Sequence, residues 1–368
     1  MQQINVLHVI DHTGFGGAQT IVRELLNRWE SNNIKLKSYA LRKSNPNSEY
    51  SSMNVSFLSN NESKYSVHSF FDLKKIVKAE NIKFLHLHLP KSIVFGILLK
   101  TFYCRNLKII VHEHGEIFEN KFLYSNFLKL FQNKSDLFIA ISGATKRKLI
   151  ENAKIKKDKI KVLYNFVDIE YFDSQKIETN MSEGRKKLGL NKEDFVLGFA
   201  GRHVEVKGCR DLILAIEELK NYKNIKILIS GDGPKKEEYI KLVKKLGLNK
   251  NILFLGYVPD IKWFYSIIDC LVIPSHYEPF GMVLLEAQAM QIPVISANVE
   301  SLNEIVLDRK TGLLFKPKDK KDLAKKIELI YTDENLRTEL TKRGLENVKK
   351  YSLKNYLTNL EVIYNGLL

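Results

Sequence analysis

Two α/β domains, each a mostly parallel sheet doubly wound with helices, are what this sequence predicts. Three observations carry the prediction. Short apolar, β-rich runs alternate with amphipathic helical stretches along the 368 residues, the rhythm that βαβ units impose. A polar stretch without period, 168–182, interrupts the rhythm, which then restarts. The length suits two domains at roughly 150 residues each.

In the first half the pattern predicts strands near 4–10, 36–40, 55–58, 84–88, 108–111 and 137–141, with helices over 18–30, 70–80 and 142–152. Ser142 opens the last of these as an N-cap, its hydroxyl placed to accept from a free backbone N–H. In the second half the strands fall at 195–200, 226–230, 252–255, 270–274 and 293–297. A helical pattern follows each, most plainly over 281–290 and 319–331. The halves share no repeated sequence period, so a solenoid is excluded. The expected domains are 1–175 and 176–352, with the linker inside the polar stretch. A final helical stretch, 353–368, is apolar on one face through Tyr356, Leu357, Leu360, Ile363 and Tyr364 and must pack on something. Two doubly wound domains facing across a cleft point their strand ends into it, where open α/β sheets bind ligands.

Composition narrows the function classes. With 44% hydrophobic and 27% charged residues the chain can bury cores and is not disordered. Cys104, Cys209 and Cys270 lie far apart and form neither a disulfide framework nor a Cys-x-x-Cys pair, which suits a reducing, cytoplasmic compartment. The opening residues read as a first strand and not as a signal peptide. The longest strongly apolar run, 92–99, is far below the ~20 residues that span a bilayer. A net charge of +16 favours anionic partners, namely nucleic acid, an acidic lipid surface or a phosphorylated small molecule. A solvated basic face with no partner fits the charge equally. Nucleic acid is not expected, because no basic face interleaves aromatics and no recognised module is present.

The motifs sit just after strands. The first strand runs into Gly14-Phe15-Gly16-Gly17-Ala18-Gln19, a tight turn into a helix whose free N–H groups suit an anion or a sugar. It lacks the third glycine of a dinucleotide fingerprint, and the second strand ends Ala40-Leu41-Arg42 where a ribose-binding acid belongs, so NAD is not expected. After the fifth strand comes His112-Glu113-His114-Gly115, with histidines two apart and not the four that a helical zinc motif needs. His114, at the strand end, is the candidate for hydrogen bonding a substrate hydroxyl. In the second half, Gly201-Arg202 and Lys207-Gly208 put a guanidinium, an ammonium and a helix start where a pyrophosphate would sit. The spacing is not that of a P-loop. Finally, Glu278 stands before a helix start near Gly281 and Glu286 lies inside it among apolar neighbours, where a buried carboxylate needs hydroxyl partners.

These residues resemble the retaining glycosyltransferases of family 4, which have the GT-B fold of two Rossmann-like domains. The resemblance covers nearly the whole chain. Besides the motifs above it rests on Asn165-Phe166-Val167-Asp168, Gly231-Asp232-Gly233-Pro234, Gly256-Tyr257-Val258-Pro259 and Thr311-Gly312-Leu313-Leu314-Phe315. It implies that Arg202 and Lys207 bind the donor diphosphate and stabilise the departing nucleotide. It places Glu286 on the ribose, Glu278 and the backbone of Phe280 and Gly281 on the donor sugar, and Val258 on the base. The N–H groups of Met282 and Val283 would face the phosphates, while His114, Gly16 and Gly17 would approach the sugar and the β-phosphate. The final helix would complete the first domain. The implied donor is a nucleoside diphosphate sugar, of which a UDP-sugar is the expected kind. Transfer would retain the anomeric configuration, with no cofactor and no protein nucleophile.

Three positions depart from the family pattern: Gln19 stands for a glutamate, Phe166 for the glycine of Asn-Gly-Val-Asp, and Glu300-Ser301-Leu302-Asn303 for the glycine pair before Glu304. No Asp-x-Asp triplet occurs, so with Arg202 and Lys207 as countercharge no metal is expected. The expected acceptor is a saccharide or lipid-linked saccharide in surface polysaccharide or lipopolysaccharide assembly. Lys146-Arg147-Lys148 with Lys154, Lys156, Lys157, Lys159 and Lys161, beside the apolar stretch 118–131, would seat the enzyme on an anionic bilayer at the inner face of the cell membrane. Two alternatives stay open: an epimerase or hydrolase on the same fold, and a nucleotide-sugar-binding subunit without activity.

Overall fold

The computed structural model describes residues 3–14, 16–43, 55–59, 66–115, 122–176 and 181–368. It divides into two compact units, Met1–Asn165 with Tyr356–Leu368, and Phe166–Asn355.

The first unit is built on seven strands: β1 (Ile4–Ile10), β2 (Ile34–Ala40), β3 (Phe57–Leu58), β4 (Ile82–His88), β5 (Lys108–Glu113), β6 (Leu137–Ala140) and β7 (Ile160–Val162). Their order is β3-β2-β1-β4-β5-β6-β7, and every pair is parallel. Helices α1 (Gly17–Arg28), α2 (His68–Ala79), α3 (Pro90–Phe102), α4 (Phe122–Phe131) and α5 (Gly143–Ala153) alternate with them. Ser142 caps α5 as expected, its Oγ accepting from the Thr145 N–H at 3.0 Å. Because successive side chains alternate across a strand, Leu7, Val9, Leu85, Leu87, Ile109 and Val111 fill the core on one face. His8, His86, His88 and His112 take the other. The chain order reverses between β1 and β4, the kind of switch point at which such sheets bind ligands.

The second unit carries α6 (Met181–Lys187), β8 (Phe195–Ala200), α7 (Cys209–Glu218), β9 (Ile225–Ser230), α8 (Lys236–Lys245), β10 (Ile252–Gly256), α9 (Ile261–Ser266), β11 (Cys270–Ile273), α10 (Met282–Ala289), β12 (Val294–Ala297), β13 (Leu313–Phe315), α11 (Lys320–Thr332) and α12 (Glu334–Val348). Its six parallel strands run β10-β9-β8-β11-β12-β13, so the switch point lies between β8 and β11. The last helix, α13 (Leu353–Asn365), buries Tyr356, Leu360, Ile363 and Tyr364. Its Glu361 accepts from Ser31 at 2.8 Å, and the Tyr364 ring meets Trp29 edge-on at 5.9 Å.

The division falls at Asn165 and Phe166, ten residues before the 175/176 expected from composition, and again at Asn355 and Tyr356 where 352/353 was expected. Residues after Phe166 belong to the second unit because Val167 bridges Ser352 and its N–H donates to the Tyr351 carbonyl at 2.9 Å. Phe172 adds a ring contact to Tyr265 at 6.2 Å. Among the described residues no helix is long and apolar enough to cross a membrane.

Candidate active site

At the β8/β11 switch point the loops after the two strands lock together. The His276 N–H donates to the Val206 carbonyl at 2.8 Å, and the His276 ring meets Asp211 at 2.5 Å. Gly208 has φ +68, and a Cβ there would stand 1.9 Å from the Pro274 carbonyl oxygen, so only glycine lets the two backbones approach this closely. This frame sets Lys207 Nζ 2.5 Å from Glu278 Oε2, with the Ser275 hydroxyl 3.2 Å from the same oxygen. Ser301 anchors the loop from the far side by donating to the Glu278 carbonyl. Arg202, one residue past Gly201 at the end of β8, is exposed; its carbonyl accepts from the Val204 N–H at 2.9 Å, while its guanidinium has no hydrogen bond or ion pair among the described residues.

Gly281, at φ +102, turns the chain into α10, whose first N–H groups, Met282 and Val283, have no carbonyl of their own helix to bond. Two cations after β8 and a helix N-terminus after β11 therefore follow the ends of two paired strands, a combination suited to a diphosphate. The Phe280 side chain is buried against Tyr351 and serves the core, which leaves only its backbone for a ligand.

Glu286 lies one turn into α10, and Tyr265 of α9 donates its hydroxyl to Glu286 Oε2 at 2.7 Å. Burial pushes the Glu286 carboxyl above the usual range, and the Tyr265 hydrogen bond draws it only part of the way back. No cation compensates it among the described residues, so further hydroxyl donors would stabilise its charged form. Val258 lies in the loop after β10, two strands from β8. A cavity of ≈ 400 Å³ between Tyr265, Asp269 and Pro293 opens at the opposite edge, where β11 and β12 begin, and apart from Tyr265 holds none of these groups.

In the first unit, Gly16 and Gly17 open α1 at the end of β1, and His114 follows β5. Asp11, which the sequence reading passed over, accepts from the Ser92 and Lys91 N–H groups at 2.7 and 3.1 Å and holds the start of α3 against β1. Glu113 accepts from the Tyr124 hydroxyl at 2.7 Å and the Gly115 N–H at 3.0 Å.

His114 does not stand alone. The strand registers pair His8 with His86 and His88 with His112, and the period of two puts His86 with His88 and His112 with His114. His114 Nε2 lies 2.8 Å from His88 Nδ1, and His88 Nε2 lies 2.9 Å from His8 Nδ1. His8 Nε2 lies 3.0 Å from the Tyr364 hydroxyl, which is 2.7 Å from His86 Nδ1. His86 Nε2 then lies 3.1 Å from His112 Nδ1. Burial lowers the pKa of each of these histidines, His8 and His114 to about 3, and keeps the rings neutral at pH 7. Two triads, His8–His86–His88 and His88–His112–His114, have nitrogens within 4.8 Å of one another. A metal-bound imidazole needs one nitrogen for the ion and the other N–H for an acceptor. Both nitrogens of His8, His86 and His88 are already spent on neighbours, so this set does not fit a resident metal.

Comparison with known proteins agrees with this layout. The Glycosyltransferase Family 4 profile matches residues 15–171 and the Glycosyl transferases group 1 profile residues 180–347. The capsular polysaccharide biosynthesis glycosyltransferase CapM of Staphylococcus aureus is 30% identical over 325 residues, 83% of this chain and 84% of that protein. The chain belongs to glycosyltransferase family 4. Another relative, the N-acetyl-alpha-D-glucosaminyl L-malate synthase of Bacillus anthracis, is 26% identical over 80% of this chain and 78% of its own. The crystal structure of Anabaena HepE in complex with UDP and glucose superposes with a TM-score of 0.85 at 20% identity, covering 99% and 100% of the two chains, and shows the shared GT-B fold. As a family 4 glycosyltransferase the chain keeps its motif residues in two sets. Arg202, Lys207, Glu278, Gly281, Met282, Val283 and Glu286 gather around β8, β11 and α10, while Gly16, Gly17 and His114 stand at the strand ends of the first sheet. Sequence reading missed the supports: Tyr265 under Glu286, Ser275 and Ser301 around Glu278, and the histidines behind His114. Only the last had a signal, the His-x-His spacing at 86/88 and 112/114.

Proposed function

We propose that this glycosyltransferase moves a sugar from a nucleoside diphosphate sugar, a UDP-sugar first among candidates, to a saccharide or lipid-linked saccharide acceptor, with retention and without a metal. The observation that carries this reading is the unpaired Arg202 beside the Lys207–Glu278 pair at the N-terminus of α10. Arg202, Lys207 and the Met282 and Val283 N–H groups neutralise the diphosphate as it leaves, the work a metal does elsewhere. Glu286 takes the ribose hydroxyls, Glu278 with the Phe280–Gly281 backbone the sugar, and Val258 the base. His114, Gly16 and Gly17 serve the sugar and β-phosphate. The relatives named for capsular polysaccharide and for an N-acetylglucosaminyl product support a role in surface polysaccharide or glycoconjugate assembly.

The test is a thermal-shift panel of UDP, GDP, ADP and their sugars, with and without EDTA. A ligand at a hundred times its Kd stabilises by about 2.7 kcal/mol, an easily read shift. The expected result is a shift with UDP that survives EDTA and is lost in Arg202→Ala and Glu286→Ala. No shift with any nucleotide overturns the reading in favour of a subunit that needs a partner.

The acceptor side points to a membrane surface. Phe122, Leu123 and Leu130 of α4 are 75%, 83% and 77% exposed, an unusual display for aromatic and aliphatic side chains. Phe118, expected to join them, lies outside the described residues. On the neighbouring basic segment Lys146 bonds the Ile160 carbonyl and Lys148 pairs with Glu151, while Lys154, Lys156, Lys157 and Lys161 are exposed. Peripheral binding to anionic vesicles at the cytoplasmic leaflet follows from this pairing of apolar and basic groups. Sedimentation with vesicles should fall as salt rises and on Leu123→Asp. Equal binding to neutral vesicles overturns it.

A further inference from the structure

His114 Nδ1 and His112 Nε2, the two ends of the histidine chain, are sealed from solvent and have no hydrogen-bond partner. Between them every nitrogen of His114, His88, His8, His86 and His112 is within 3.1 Å of the next group, with the Tyr364 hydroxyl in the middle. Counting protons restricts what this chain can be. A neutral imidazole has one N–H and one bare nitrogen, and a phenol has one O–H. Six groups therefore carry six protons, five links require one each, and one proton is left for an end. A link with two protons clashes and a link with none sets lone pair against lone pair.

Only two arrangements satisfy every link. In one, all five rings carry the proton on Nδ1, Tyr364 donates to His8, and His114 Nδ1 is a donor. In the other, all five carry it on Nε2, Tyr364 donates to His86, and His114 Nδ1 is an acceptor. The uniformity follows from the links themselves, each of which leads from the Nε2 of one ring, directly or through Tyr364, to the Nδ1 of the next. We propose that the His114–His88–His8–Tyr364–His86–His112 chain is a concerted two-state hydrogen-bond switch that sets whether His114 Nδ1 is a donor or an acceptor, with Tyr364 as the positioning residue at its centre; the donor sugar meets this atom only by displacing the groups that now seal it. The part concerning the sugar rests on the reading of His114 given above.

The α13 helix thereby reaches the chemistry through its Tyr364 hydroxyl without contributing a catalytic residue. Tyr364→Phe keeps the ring and removes the link, which separates the three rings ending at His114 from the two ending at His112. Imidazole ¹⁵N NMR distinguishes bare from protonated nitrogens directly. In the unsubstituted protein without ligand, all five rings should show one tautomer; a ring of the opposite type overturns the switch, and no variant needs to fold for that result. In Tyr364→Phe the two groups of rings should become independent. Turnover with the nucleotide sugar chosen by the thermal-shift panel should fall about fivefold in kcat, one neutral hydrogen bond's worth, with little change in KM. Full turnover in Tyr364→Phe, with His114→Ala inactive, overturns the positioning role. Full turnover in His114→Ala instead overturns the donor-site reading of His114, and the tautomer spectrum still decides the switch itself.

Discussion

Lys207→Ala should lower kcat by about 10²–10³-fold, the loss that follows when one preorganised donor to developing negative charge is removed. Lys207 is the better buried of the two cations at the β8/β11 switch point, with its side chain 26% exposed, and Glu278 holds its ammonium at 2.5 Å before any ligand arrives. A charge fixed in advance needs no reorganisation as the diphosphate departs. The same substitution strands the Glu278 carboxylate, 12% exposed, beside the Ser275 hydroxyl, so the melting temperature should fall as well. The double variant Lys207→Ala with Glu278→Gln separates the two effects by removing the stranded charge. Its stability should recover while turnover does not. A kcat within threefold of the parent for Lys207→Ala would remove this residue from the mechanism.

Acidification should unfold the first unit well above the pH at which most proteins of this size fail. A buried histidine whose folded pKa is depressed binds fewer protons than it does unfolded. Stability is then fully present above the ordinary value of 6.5 and is lost as pH falls toward the folded value. For His8, lowered to about 3, the loss at pH 5 is about 2 kcal/mol. His86, His88 and His112 shift in the same direction and add to it. Against a total of about 5–15 kcal/mol, such losses are a large share of the stability. The measurement is circular dichroism and tryptophan fluorescence between pH 7 and 4, since Trp29 packs on Tyr364 in this unit. A cooperative transition in which several protons are taken up is expected. An unchanged near-ultraviolet signal at pH 4.5 would mean that the rings are not held neutral.

The α/β alternation was legible because parallel strands are buried on both faces and read as dense apolar runs between periodic helices. It failed at β7 and β13, three residues each, which went unpredicted, although β3, only two residues long, falls inside the strand predicted near 55–58. Motif residues at strand ends were legible because glycines and cations there have few structural reasons to exist. What lay beneath them was less so. Glu286 reads as a buried acid from its apolar neighbours, but Tyr265, its partner, is 21 residues away on a different helix. His86 and His88 show the period of two, yet nothing local announces Tyr364, 278 residues from His86. The linker was misplaced for a similar reason: the stretch 168–182 lacks a period, but the chain just before it is tied by Val167 to Ser352.

The placement of α13 also fixes an order of assembly. Translation delivers β1 to β7 first, but the sheet face bearing His8 and His86 is closed by Tyr364, so the contact between the first strand and the last helix spans 356 residues. The unit made first on the ribosome is therefore the one that matures last, after the intervening residues 166–355 have emerged and can form their own core. Until then that face waits uncovered, with its imidazoles interspersed among Val6, Phe84, Ile110 and Ile139, so a nascent chain presents a mixed surface there and not a continuous apolar one.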